Sequence, residues 1–417
     1  MIGDGWNDDP SLRPSAESLA DATTRSRRRV AIVTGTRAEF GLLKPIMYAV
    51  HADVRLELAV IAAGAHLISP AETFREVKAE FAIADIVPMQ VAGRVGRGAD
   101  VEALARGISR FGRAFTKLRP DWIMVLGDRI EAFAAATAGS VGGYAVAHVH
   151  GGDRAEGVAD EAMRHAITKL AHLHLAASAQ SAQRIIAMGE RPEFVRVVGS
   201  PAIDGLDAIE PMNDARFAAL GKPDTVFLMH PVGRPDEIEE AATSEALAAC
   251  ASETRRVLAL EPNHDPGRDG VRRALGAASM HEAGPSLAHA NPVIEERVLV
   301  RSHIPRPLWL ALLKRLARDG GILVGNSSAG LIEAAALGVR VVNLGHRQAG
   351  RERAGNVVDV EHEQAGDIAR GIRKALAMNV NAIEHPFGSG KAGLACALAL
   401  AEINPHDPRL LRKRCTY

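Results

Sequence analysis

The sequence predicts an α/β protein made of two doubly wound, Rossmann-like domains that face each other across a cleft. Three observations predict it. Short apolar runs alternate with glycine-bearing turns and helical segments along most of the chain. This alternation breaks once, from Gly199-Ser200-Pro201 through Asp214, and then restarts. The residues straight after the apolar runs are polar and titratable, as expected where turns at the carboxyl ends of parallel strands open on a ligand crevice. A length of 417 residues suits two domains better than one.

Residues 1–28 are polar, rich in Asp, Ser, Arg and Pro, and without apolar periodicity, so they read as a disordered extension. The first domain covers 29–205. Its first strand, Val30-Ala31-Ile32-Val33, passes through Thr34-Gly35-Thr36-Arg37 into a helix over 38–50. Leu56 to Ile61 is the next strand, followed by Gly64 and a helical segment from about Ala71. Trp122 to Leu126 is a continuous apolar run, the pattern of a strand buried on both faces, an Ala-rich helix follows from Ile130 to about Ser140, and Ala145 to Val149 is another strand. Val195 to Val198 is the last strand of this series. The second domain, 206–385, has strands at 225–229, 256–260, 297–300, 321–324 and 339–344, and a loop from Met280 to Asn291. Residues 386–417 carry a final helix, about Lys391 to Glu402.

Composition narrows the function classes. Lys plus Arg and Asp plus Glu number 50 each, so the chain as a whole has no electrostatic case for nucleic acid or an anionic membrane, and any anion site is local. No apolar stretch has transmembrane length, and a soluble protein is expected. Cys250, Cys396 and Cys415 are far apart and not in metal-ligand spacing, which points to a reducing cytoplasm, no disulfide framework and no structural metal.

The turn Gly325-Asn326-Ser327-Ser328, between the run Gly321 to Val324 and a helix-like segment Leu331 to Gly338, is the strongest chemical signal. A strand ending in small residues and opening into a helix leaves N–H groups unpaired beside the positive end of a dipole, a place for phosphate. Glu333, in the first turns of that helix, is placed to accept from ribose hydroxyls. The other turns supply Arg37 with Glu39; Asp128 with Arg129 and Glu131; His150, Asp153, Arg154, Glu156, Asp160 and Glu161; His230; Asn263, His264 and Asp265; and His303. Asp128 is hard to dismiss as surface polarity, because a carboxylate straight after a fully apolar strand is costly to half-bury without a partner or a purpose. By contrast Glu161, His165, Thr168 and His172 read as the solvated stripe of one helix. Gly388-Ser389-Gly390-Lys391-Ala392 lacks the first Gly and last Ser/Thr of a P-loop, and Gly35 to Gly41 is no dinucleotide fingerprint, which disfavours an ATPase and an NAD-dependent dehydrogenase.

Taken together, Val33-Thr34-Gly35-Thr36-Arg37-Ala38-Glu39, Leu126-Gly127-Asp128-Arg129, Asp160 to His172, His230-Pro231, Pro262 to Gly267, Gly325-Asn326-Ser327-Ser328 and Asn343 to Arg351 resemble the UDP-N-acetylglucosamine 2-epimerase family. The blocks at 164–169 and 343–351 are similar to its hydrolysing, NeuC-like branch, which releases N-acetylmannosamine for sialic acid synthesis. The resemblance spans about residues 29–404. It implies a glycosyltransferase-B-like fold whose last helix crosses back to the first domain, no cofactor, and, by analogy alone, a homodimer. UDP would lie on the second domain, its diphosphate at Ser327 and Ser328, its ribose at Glu333, with His303, Arg347 and Arg37 nearby and Asn263 in an adjoining turn.

The chemistry the resemblance implies is anti elimination of UDP to a 2-acetamidoglucal, then hydration with inversion at C2. Elimination needs a base for the C2 proton and donors for the departing diphosphate; hydration needs a proton returned to the other face. Asp128 and Asp160 are the expected acid/base pair and His230 belongs at the sugar–phosphate junction, but which carboxylate removes the proton is left open. Many relatives have Glu where this chain has His150 and Glu at the position of Asp153. Asp153 or Glu156 would then supply the missing carboxylate, or His150 would act as the base, and the departure is also compatible with a related aminosugar as substrate. A non-hydrolysing epimerase, a glycosyltransferase and a nucleotide-sugar sensor are the competing readings.

Overall fold

The computed structural model describes residues 27–69, 73–94, 96–156, 161–263, 265–279, 297–380, 383–414 and 416. The first domain holds β1 (Arg28–Thr34), α1 (Arg37–Ala52), β2 (Leu56–Ala63), α2 (Phe74–Glu80), β3 (Ile83–Val87), α3 (Arg97–Leu118), β4 (Trp122–Leu126), α4 (Ile130–Val141), β5 (Ala145–Val149), α5 (Glu161–Leu170), β6 (Leu173–Ala176), α6 (Ala179–Ala187) and β7 (Val195–Val197). The second holds α7 (Asp214–Ala219), β8 (Thr225–Leu228), α8 (Asp236–Glu253), β9 (Val257–Leu260), α9 (Arg268–Ser279), β10 (Val298–Arg301), α10 (Arg306–Asp319), β11 (Ile322–Gly325), α11 (Glu333–Ala336), β12 (Arg340–Leu344), β13 (Val357–Val360) and α12 (Ala365–Leu376). The chain ends with α13 (Ala392–Glu402) and α14 (Pro408–Leu411).

Both sheets are parallel. The first has seven strands in the order β3-β2-β1-β4-β5-β6-β7, the second six in the order β10-β9-β8-β11-β12-β13. Strand order therefore reverses between β1 and β4 in one and between β8 and β11 in the other, and a crevice opens at the carboxyl ends of those pairs. All five residues of β4 and of β5 are buried, as the unbroken apolar run of β4 requires and as β5 achieves with the buried His148 among its apolar residues.

Two apolar layers sandwich each sheet. Cys396, Leu400 and Leu410 pack into the layer formed by β1 and α1, so the end of the chain returns to the first domain. Asp204 caps α13, accepting from the N–H groups of Ala392 at 2.8 Å and Gly393 at 2.6 Å. Trp122 Nε1 donates to Leu400 O at 3.1 Å and Arg28 Nη1 to Ile403 O at 2.9 Å. Where the chain leaves the first domain and where it comes back, Ser200 N–H donates to Phe387 O at 2.8 Å, joining the two crossings.

Several expectations are corrected. β1 begins at Arg28, one residue inside the segment read as a disordered extension, because Arg28 pairs with Leu56 in the sheet; residues 1–26 lie outside the described residues, as does the 280–291 loop. Strands β3, β6 and β13 were not expected. They are short, two lie at sheet edges and the third next to one, and each carries an Asp or His, so their apolar patterns are weak. The helix bearing Glu161 ends at Leu170, leaving His172 beyond it, and its supposed solvated face holds fully buried Thr168. After β11 the chain makes a 3-10 turn, Ser328–Gly330, and then only the four-residue α11, so the long helix expected from Leu331 is replaced by two short turns.

Candidate active site

The β1/β4 and β5 turns build one wall. Asp128 follows Gly127 at the end of β4, and its carboxylate is gripped by Arg164 of α5, a side chain only 5% exposed. Burial, reinforced by the nearby charge of Arg351, lowers the Arg164 pKa to about 9. The turn is held from below by His148, whose Nε2 donates to Gly127 O at 2.7 Å.

His150 adopts φ +64°, a left-handed conformation that costs a side-chain-bearing residue of order 1 kcal/mol. Its hydrogen bonds over-determine it: Nδ1 meets Asp153 Oδ2 at 2.7 Å and Nε2 meets the Ser200 hydroxyl at 3.0 Å. Ser181 donates to the other Asp153 oxygen at 2.7 Å. Burial opposes ionisation of Asp153, but His150, Arg351 and Ser181 outweigh it and hold the carboxyl below its usual range. The ionised Asp153 carboxylate accepts from His150 Nδ1–H and so fixes the orientation of the ring. Of the other residues expected here, Glu156 is exposed, pairs with Arg154 and gives its backbone N–H to Ala349 O of the second domain at 3.1 Å, so it stands apart from the His150–Asp153 couple. Asp160 lies outside the described residues.

The β8/β11 turns build the facing wall. Asn326, fully buried, accepts from His230 N–H at 2.7 Å and donates to His230 O at 2.8 Å, tying the end of β8 to the end of β11. Gly325 has φ +147°, and a Cβ there would sit 1.9 Å from Leu228 O, so no other residue allows this approach. Asn263 N–H donates to His230 Nδ1 at 3.1 Å. Burial and then the charge of Arg347 lower the His230 pKa to about 3, so the ring is neutral and its Nε2 carries the hydrogen. Ser327 caps the 3-10 turn, accepting from Ala329 N–H at 3.4 Å, and Ser328 begins that turn. Glu333 is buried but its Oε1 is taken by Arg306 Nη1 at 2.6 Å, an engagement the sequence did not suggest. Arg37 pairs with Glu76 at 3.0 Å, and its charge, after burial, lowers the pKa of the second domain's His303.

The walls meet. Arg129 Nη1 lies 4.0 Å from Asp265 Oδ1, Arg347 Nη2 lies 3.8 Å from Asp265 Oδ2, and Arg347 Nη1 donates to Asn326 O at 3.2 Å. An unbroken series of polar contacts thus runs from the residue after Asp128 to the residue before Ser327. The model of the UDP-N-acetylglucosamine 2-epimerase family matches residues 48–400. The chain belongs to that family.

Within this epimerase family, the chain is 31% identical to a UDP-N,N'-diacetylbacillosamine 2-epimerase (hydrolyzing) of Legionella pneumophila, over 94% of this chain and 100% of that one. It is 27% identical to a UDP-N-acetylglucosamine 2-epimerase of Neisseria meningitidis, over 87% of this chain and 91% of that one. Among solved structures it is similar in fold to the Neisseria meningitidis UDP-GlcNAc 2-epimerase bound to UDP-GlcNAc, with a TM-score of 0.70 at 17% identity over 90% of this chain and 100% of the other. The Methanocaldococcus jannaschii enzyme gives a TM-score of 0.70 at 17% identity, over 89% of this chain and 99% of that one. The fold is that of the glycosyltransferase-B-like epimerases, and the protein is a nucleotide-sugar 2-epimerase.

Asn326 and Ser200 were not expected at this candidate site, and Arg164 stood out only as one of the polar residues that follow β5, not as the partner of Asp128. Asn326 had a signal, its position between an obligatory glycine and two serines, but that also fits an ordinary turn. Asn326→Ala leaves the buried N–H and C=O of His230 without partners, at about 1–3 kcal/mol each. The expected result is a destabilisation of about 2–4 kcal/mol in urea melts. UDP affinity measured by calorimetry should fall with it, because the turn bearing Ser327 is no longer fixed to β8.

Proposed function

We propose that the protein is a hydrolysing epimerase of UDP-linked 2-acetamido sugars, converting UDP-GlcNAc and water to UDP and N-acetylmannosamine. The observation that carries this reading is the pairing of an acid/base wall, Asp128 and the His150–Asp153 couple, with a donor wall, His230 and the Ser327–Ser328 turn, across the Asp265 bridge.

Elimination breaks the C2–H and C1–O bonds, and the charge that develops is on the diphosphate. Neutral His230, with hydrogen on Nε2, donates to a phosphoryl oxygen there, and Arg347 supplies positive charge. The C2 proton passes to a basic group on the first domain, Asp128 or His150 Nε2. Hydration of the glycal then adds water across C1 and C2, with the proton delivered to the opposite face of C2. Carboxylate and imidazole divide these roles because their surroundings differ: Asp128 faces a buried guanidinium, His150 a buried carboxylate.

A second reading rests on the names of two relatives. The Legionella pneumophila protein and a Campylobacter jejuni protein, 28% identical over 81% of this chain, are named for diacetylbacillosamine. The same walls would then act on a 2,4-diacetamido sugar. Proton NMR in heavy water with each UDP sugar separates the readings. The expected products are UDP and free N-acetylmannosamine carrying deuterium at C2. Turnover of the 2,4-diacetamido substrate alone transfers the assignment to it, accumulation of UDP-ManNAc replaces hydrolysis with simple epimerisation, and inert substrates in both arms refute the proposal.

A further inference from the structure

Arg306 stands where three parts of the molecule come together. It opens α10, and its guanidinium is divided between two acceptors: Nη1 donates to Glu333 Oε1 of α11 at 2.6 Å, and Nη2 donates to Ala202 O at 2.7 Å. Ala202 lies in the 3-10 turn Pro201–Ile203, where the chain passes from the first domain to the second. The third part is α1 of the first domain, which runs past the stem of the same side chain at Gly41; a Cβ there would lie 3.1 Å from Arg306 Cδ. The arginine is therefore held along its stem as well as at its tip.

Glu333 is engaged on one side only. Its side chain is 8% exposed and Oε1 is given to Arg306, whereas Oε2 makes no hydrogen bond to a described residue and is not sealed from solvent. A carboxylate has about four lone-pair sites, and one N–H occupies one of them, so the free edge can still accept a pair of neighbouring hydroxyls. A lone glutamate samples many rotamers that a ligand must order, but a charge-assisted bond orders this one before the ligand arrives. The same restraint sharpens selectivity. A buried oxygen that cannot swing out to water is left unpaired by a ligand that lacks the hydroxyl, and that ligand is rejected. An ion pair that merely fastened α10 to α11 would need the bond to Glu333 alone; the second bond, to Ala202 O, fixes the plane of the guanidinium and with it the direction in which the free carboxylate edge faces.

We propose that Arg306 is a positioning residue for nucleotide selection: it sets the free edge of Glu333 to receive the 2′- and 3′-hydroxyls of the ribose, so that the site takes ribonucleoside diphosphates in preference to their 2′-deoxy counterparts. The inference rests on the nucleotide part of the proposed function, with Glu333 facing the ribose, and not on the chemistry at the sugar.

UDP and 2′-deoxy-UDP are the probes, titrated by calorimetry into the full chain and into Arg306→Met, Arg306→Lys and Glu333→Gln. The parent should bind UDP tighter than 2′-deoxy-UDP by about tenfold or more, the worth of one hydrogen bond to a charged acceptor. In Arg306→Met the affinity for UDP should fall by about tenfold while that for 2′-deoxy-UDP changes by no more than about twofold, so the preference collapses. Glu333→Gln should collapse it in the same way. Arg306→Lys, which keeps a cation and its donors without the planar fork, should show an intermediate preference and provides the readout should the methionine variant fold poorly. A purely structural role would weaken both nucleotides equally. Equal losses, a parent indifferent to the 2′-hydroxyl, or a preference that survives in Arg306→Met or Glu333→Gln overturns the proposal and leaves the proposed reaction standing; a parent that binds no UDP overturns both.

Discussion

Replacing Asp128 by Asn is expected to lower the rate of UDP release from UDP-sugar by about 10³-fold, the usual worth of a positioned acid or base. The binding of UDP itself should change little, because His230, Asn326 and the Ser327 turn belong to the other domain. The variant also separates chemistry from structure. Asp128 neutralises Arg164, which is buried, and removing one partner of a buried pair costs up to about 3–5 kcal/mol. Asn keeps an acceptor for the guanidinium, so the melting temperature should fall without loss of the fold. Single-turnover kinetics, calorimetry with UDP and a thermal melt on one preparation give the three readings. Turnover within tenfold of the parent would reduce Asp128 to a structural partner of Arg164 and leave His150 as the base.

The second large effect is on stability against pH. Burial pushes His148 down to about 3 and, with smaller contributions from nearby cations, His66 and His172 down to about 4, from an ordinary 6.5. His172 Nδ1 accepts from Val146 N–H at 3.1 Å, a bond only the neutral ring can make. A histidine whose folded pKa is depressed stabilises the fold above 6.5 and loses that stabilisation as the pH drops toward the folded value. At pH 5 the loss is about 2 kcal/mol for each ring, or about 6 kcal/mol for these three, and His230, lowered to about 3, adds a fourth loss of the same sign and size.

Glu39 acts in the opposite sense. Burial, opposed by the Gly35 N–H and reinforced by the charge of Glu131, lifts its pKa from 4.5 to about 8. A raised folded pKa contributes stability below 4.5 that drains away as pH climbs to 8. Between pH 5 and 6.5 the three rings gain more than Glu39 loses; between 6.5 and 8 only the Glu39 loss remains, at about 1.4 kcal/mol per pH unit. The melting temperature should therefore peak near pH 6.5, with a steep acid side and a gentle alkaline one. In Glu39→Gln, which retains an oxygen for the Gly35 N–H, the alkaline decline should flatten while the acid side stays. A monotonic rise from pH 5 to 8 would contradict this account.

Glu39 and Glu131 also show why some chemistry stayed illegible. Both stood out as polar residues in the turns after β1 and β4, yet nothing local indicates that Glu131 is fully buried and wedged so tightly that a Cβ on Gly35 would lie 2.6 Å from its Cγ. Gly35 and Gly64 supply that room from two other strand ends, and Gln90, from beyond β3, donates to Glu131 Oε1 at 2.6 Å. His172 went wrong for a related reason: its spacing fits the helix of Glu161, but the helix stops two residues earlier so that the chain can enter β6.

Read alone, the chain determined what depends on short spacing. Continuous apolar runs set the central strands, glycine-bearing turns set where they end, and the restart after Asp214 marked two units; ordered motifs along them carried the family. Only the tertiary structure decided which polar groups meet. Arg164 reaches Asp128 across 36 residues, Ser200 reaches His150 across 50, and Asn326 secures His230 across 96. Those meetings follow from the crossover order of the sheets and the closure of one domain on the other. No window of neighbouring residues encodes that order, because a strand's place in a parallel sheet is set by the competition among all strands for buried edges.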